Sequence, residues 1–115
     1  MRWVLVPLLL LAACGSEEAA PCDSSPTWVD DIAPIAERTC LPCHSSELVG
    51  TERRGAPEGV NFNTYPDGVE ALTAFAEDFT SGRMPPEGSD IETMAPERAA
   101  VNRWVQCGFP QGQNL

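Results

Sequence analysis

Lysine is absent from this 115-residue chain, histidine occurs once, and no apolar run is long enough to cross a bilayer. Each absence removes a class of function. Seven arginines face 17 acidic residues, a net charge of −10, so the basic stripe that nucleic-acid phosphates require is missing. A single histidine, with no paired acid and base around it, leaves no recognisable hydrolytic or nucleophilic constellation. Strand-like alternation is almost missing, and there is no internal repeat. The length allows one small domain, whose thin stability margin calls for a cofactor, metal or disulfide. Five cysteines make such help available.

The first residues have the pattern of an export signal. Arg2 supplies a positive start, Val4 to Ala13 is apolar, and small residues precede Cys14. At ten residues this run is too short for a stable membrane span. The ending Leu11-Ala12-Ala13-Cys14 resembles the lipobox of bacterial lipoproteins, which implies that Cys14 is lipidated and becomes the new amino terminus. An ordinary cleaved signal with an incidental Cys14 is the alternative. The expected organisation is a lipoprotein signal peptide over 1–13, a flexible tether over 14–26 and one domain over 27–115. The tether reading rests on the Ser, Glu, Ala and Pro of Gly15 to Pro26. Such a protein is exported and membrane-anchored, in the periplasm or on the outer surface. Without the signal, six arginines remain against 17 acidic residues, a net charge of −11. That surface suits a redox partner with a basic docking face, although a solvated acidic surface requires no partner.

Three helices joined by long loops are expected. Pro34 is tolerated only near a helix start, so a short helix runs from about Pro34 to Cys40, with Ile32 and Ile35 inward and Asp30 and Asp31 at its positive end. Leu48 to Pro66 carries too many glycines and prolines for regular structure. Asp67 can cap a second helix, because Val69, Leu72, Phe75, Ala76 and Phe79 form one apolar stripe ending at Ser81-Gly82. The segment Arg83-Met84-Pro85-Pro86-Glu87-Gly88 holds Met84 extended. A third helix opens near Pro96, faces Val101, Trp104 and Val105 inward, and ends at Gly108 and Pro110.

Cys40-Leu41-Pro42-Cys43-His44 carries the chemistry. C-x-x-C-H is the signal for covalent attachment of c-type haem: two thiols three positions apart reach two vinyl groups, and the adjoining imidazole is delivered to the iron. Neutral imidazole is a good iron ligand once its other nitrogen is fixed by a hydrogen bond. Two alternatives use the same cysteines. A thioredoxin-like dithiol needs alternating strands and helices, and a closed zinc site needs four ligands; this sequence has neither signal.

Haem iron held by His44 has a second axial position, often filled by a methionine thioether in electron carriers. Met1 leaves with the signal, so Met84 and Met94 are the candidates. Met84 is favoured because its proline-stiffened loop costs little ordering entropy, whereas Met94 beside the third helix suits core filling.

The ordered set Asp31-Ile32-Ala33-Pro34-Ile35, the haem motif, Gly59-Val60-Asn61-Phe62-Asn63-Thr64-Tyr65, Gly82-Arg83-Met84-Pro85-Pro86 and Arg103-Trp104-Val105-Gln106-Cys107-Gly108 resembles the small monohaem cytochrome c domains of bacterial surface lipoproteins. The resemblance covers roughly residues 28 to 112. It implies an all-α, cytochrome c-like fold wrapped around one covalent haem, with His44 and Met84 as axial ligands. It also implies that the tryptophan helix packs on the first helix. The segment between His44 and Met84 is shorter than in mitochondrial carriers, which leaves haem exposure open.

With Cys14, Cys40 and Cys43 assigned, Cys22 and Cys107 remain as an even pair in an oxidising compartment, and a disulfide between them is expected. Arg83, beside the ligand loop, is a candidate for a haem propionate. Arg53 and Arg54 could pair with propionates in the same way, but solvation is the favoured expectation for these two loop arginines. Trp28, Phe75, Phe79 and Trp104 suit either the haem pocket or ordinary core packing. The function expected is one-electron transfer without substrate conversion. A haem with an open sixth position for peroxide or small-ligand chemistry is the alternative, followed by a thiol-disulfide protein.

Overall fold

The computed structural model describes residues 22–113. The signal segment and Cys14 lie outside the described residues. Three α-helices are present among them, with no strand, so the domain is all-α: α1 is Ala33–Thr39, α2 is Tyr65–Thr80 and α3 is Ala95–Gln106.

The chain enters α1 through a π-helical turn, Trp28–Ile32. Thr27 caps that turn: its hydroxyl accepts from the Asp30 amide at 3.3 Å, and Asp31 Oδ2 accepts from the Thr27 amide at 2.9 Å. The helical path thus starts earlier than the sequence suggests, because this reciprocal cap satisfies the first orphan amides ahead of Pro34. The segment 22–26 of the expected tether opens with a 3₁₀ turn, Cys22–Ser24.

Helix α2 also starts earlier than expected. Thr64 is the N-cap, and Asp67 is the third helical residue, completing a capping box by accepting from the Thr64 amide at 3.2 Å. Pro66 therefore belongs to the first helical turn, where its missing amide costs nothing. Gly68 faces the Trp28 ring so closely that a Cβ there would lie 2.6 Å from an indole carbon. Only glycine admits this approach. Backbone angles leave the helical region at Phe75 (φ −128°, ψ 20°), and Phe75 is 47% exposed instead of lying within the apolar stripe.

The core is Trp28, Ile32, Ala36, Leu72, Phe79, Val101 and Trp104. Trp104 is completely buried. Its indole nitrogen donates to the Pro110 carbonyl at 2.8 Å, the same carbonyl that accepts from the Trp28 amide at 2.9 Å. Tyr65 Oη donates to the Phe109 carbonyl at 2.6 Å. The segment after α3 thus folds back and ties the entry turn, α2 and α3 together. Cys22 and Cys107 have their sulfurs 2.22 Å apart, at disulfide distance, adding a covalent tie across 85 positions of sequence. These ties frame the remaining face of the core, where a cavity opens.

Candidate functional site

One large cavity enters the core between α1, α2 and the loops that follow them, enclosing about 960 Å³ including its open mouth. Its lining is overwhelmingly apolar, with Ile32, Ile35, Leu72, Phe79 and Val101 at its base. Cys40, Cys43, His44 and Met84 all line it. The sequence motif and the methionine forty positions later therefore share one space.

The motif folds as the unwinding end of α1. The amides of Cys40 and Leu41 both donate to the Ala36 carbonyl at 2.9 Å, and the amides of Cys43 and His44 return to the Cys40 carbonyl at 3.1 and 2.8 Å. This tight turn brings both thiols and the imidazole to the same cavity. Neither Cys40 nor Cys43 is in a disulfide. Cys40 keeps some exposure where it borders the cavity, yet burial by surrounding protein pushes its thiol up to about 11; the Thr39 hydroxyl opposes this and Cys43 adds to it.

His44 is held in one orientation. Its Nδ1 donates to the Val60 carbonyl at 2.9 Å, which leaves Nε2 as the nitrogen with a free lone pair. The ring edge packs against Phe62, 5.6 Å between centroids, and the Phe62 amide donates to the His44 carbonyl at 2.9 Å. Burial holds the imidazole below its usual pKa, against the Val60 hydrogen bond, and the nearby Arg53 charge lowers it further. The ring is thus biased towards the neutral form that a metal needs.

Arg53 is the correction to the sequence reading. Expected to be solvated, it is only 2% exposed. Its guanidinium donates to the carbonyls of Ser45 (2.6 Å), Ala56 (3.2 Å), Pro57 (2.6 Å) and Val60 (3.0 Å), and to Asn61 Oδ1 (2.9 Å). The reason lies in the loop around it. A segment broken by Gly50, Gly55, Pro57 and Gly59 has few backbone partners for its carbonyls, and buried carbonyls need donors. A fork of five N–H groups supplies them. The density of glycine and proline around Arg53 was the one hint in the sequence, and it does not say which carbonyls converge on the guanidinium. Arg54, by contrast, is exposed as expected and pairs with Asp90 at 2.8 Å.

Met84, also on the cavity lining, is held more loosely. It is 38% exposed, and its peptide bond to Pro85 is cis. Its amide donates to the Asp78 carbonyl at 2.8 Å, and its carbonyl accepts from Arg98 Nη1 at 3.1 Å. Arg98 also donates to the Phe79 carbonyl and lies 5.1 Å from the Phe79 ring centroid. Arg83 points its Nε to Asp78 Oδ1 at 2.8 Å and is exposed. Met94 caps α3, is 62% exposed and does not line the cavity. Phe75 and Phe79 line the cavity, while Trp28 and Trp104 belong to the core behind it.

Among the described residues no group of three His, Cys, Asp or Glu side chains is gathered as a closed zinc site requires. No helix among them is long and apolar enough to cross a membrane. No protein-family model, curated protein or solved structure matches this chain.

Proposed function

We propose that this protein is a c-type cytochrome domain, a one-electron carrier with haem bonded to Cys40 and Cys43 and ligated by His44 and Met84. The observation that carries the reading is the convergence of two unpaired thiols, an oriented imidazole and a thioether on one apolar cavity. When bound, the haem supplies a one-electron ferric/ferrous couple.

The residues present suit that group. The thiols of Cys40 and Cys43 would hold it as thioethers, which requires the reduced cysteines found here. With Nδ1 committed to Val60, the basic Nε2 of His44 would be one iron ligand. The Met84 sulfur would be the other. The apolar lining from α1, α2 and α3 would keep water from the iron and favour the less charged state, which would tune the potential upward. Arg83 remains a candidate for a propionate, since its Asp78 pair is exposed and exchangeable.

A thiol-disulfide role fits these residues less well. Such enzymes lower the pKa of the attacking cysteine, whereas burial drives Cys40 upward to about 11. The exposure of Met84 favours one second reading, a displaceable sixth position open to peroxide or a small ligand. Catalysis there would need polar distal groups, and the cavity offers Asp78 and Thr39 among a mainly apolar lining. With its acidic surface, the domain would exchange electrons with proteins that carry basic docking faces, from a lipid anchor at Cys14 in the periplasm or on the cell surface.

Optical spectroscopy separates the two haem readings. The ferric wild type is expected to show the weak long-wavelength band of sulfur ligation, lost in Met84→Ala and kept in Met94→Ala. A high-spin ferric wild type without that band would favour the open site.

A further inference from the structure

Buried cations are ordinarily paired with a carboxylate, because an uncompensated charge in the interior is costly. Arg53 is buried without one: among the described residues its hydrogen-bond partners are four carbonyls and one side-chain amide oxygen. One of those carbonyls, Val60, is also the acceptor for His44 Nδ1, with donors at 3.0 Å from Arg53 Nη2 and 2.9 Å from the imidazole. A second, Ser45, belongs to the residue directly after His44.

We infer that Arg53 is a positioning residue that sets both the orientation and the electron-donating strength of His44 by sharing the Val60 carbonyl. The inference rests on the haem reading above. A carbonyl that already accepts from a guanidinium has less electron density for the Nδ1–H. The imidazole then keeps its own proton more tightly, has less imidazolate character, and donates less through Nε2. A weaker donor stabilises ferric iron less, so the reduction potential rises. The buried positive charge acts in the same direction, since it disfavours the more positive oxidation state. Because the guanidinium also closes the loop over residues 56–61, the ring cannot escape the shared acceptor by moving away.

The test uses haem-loaded protein matured by export. Arg53→Gln keeps a donor and removes the charge, so the potential should shift negative and the His44 Nδ1–H proton resonance of the ferrous form should move downfield. Arg53→Lys restores charge with fewer donors and should recover part of both shifts. Should Arg53→Gln fail to fold, Asn61→Asp places a carboxylate against the guanidinium without altering side-chain shape, and the same two shifts are expected. An unmoved His44 resonance in haem-loaded Arg53→Gln or Asn61→Asp overturns the inference, whatever the potential does. If the wild type itself matures without haem, the functional reading falls first and this inference with it, a failure visible before any variant is made.

Discussion

The parts of the cavity wall around His44 and around Met84 are built in opposite ways. On the His44 side, the imidazole is hydrogen-bonded, edge-packed on Phe62 and backed by an arginine that is 2% exposed. On the Met84 side, the candidate ligand is 38% exposed and held by backbone contacts to Asp78 and Arg98 at the end of α2 and on α3. The first wall is pre-organised by buried polar contacts that are costly to break. The second is held largely at the surface, where single contacts contribute little. In the proposed one-electron carrier, such asymmetry would let one ligand fix the metal while the other adjusts.

Perturbing each wall should reveal this difference. The largest effect is expected from His44→Ala, which removes the more firmly held of the two proposed ligands; haem staining of a denaturing gel after maturation should show nearly all the attached haem lost. Met84→Ala should retain haem at close to the wild-type level in the same assay.

An intermediate effect is expected from Arg98→Ala. It removes the donor shared by the Phe79 and Met84 carbonyls and the contact over the Phe79 ring. Loss of such hydrogen bonds costs about 1–3 kcal/mol. Chemical denaturation should register this cost, and the sulfur-ligation band should weaken because the Met84 loop loosens. The smallest effect is expected from Arg83→Ala. Its pairs with Asp78 and Glu77 are exposed, and such pairs contribute about 0–1 kcal/mol. A denaturation midpoint close to wild type, with the band intact, is the expected result. A larger loss would show that the Met84 wall is tied down more firmly than its exposure suggests.

The same asymmetry governs how much was legible in the sequence. The three helices could be read because their signals are local: the stripe from Val69 to Phe79, Pro34 and Pro96 near the starts of α1 and α3, and Gly108 with Pro110 after α3. The entry into α1 and the start of α2 were misread by a few residues, because the Thr27 and Thr64 hydroxyls accept from the Asp30 and Asp67 amides while the Asp31 and Asp67 carboxylates accept from the threonine amides, and the acids are the more conspicuous residues. The Cys40-to-His44 motif and Met84, singled out by residue type, do come to one cavity. The role of Arg53 was not legible, since it depends on carbonyls contributed by residues 45 to 60, which come together only when the loop closes. The exposure of Phe75 was equally hidden, because a helical periodicity cannot register the local departure from helical angles there.

Both walls acquire their meaning from the haem proposed to join them. Intact mass spectrometry of the mature protein, exported in a host with haem-ligation machinery and denatured before measurement, tests that most directly. The account predicts the polypeptide plus one haem, with the pyridine spectrum of a porphyrin bonded through two thioethers. A colourless protein at the bare polypeptide mass, with alkylatable thiols at Cys40 and Cys43, would contradict it.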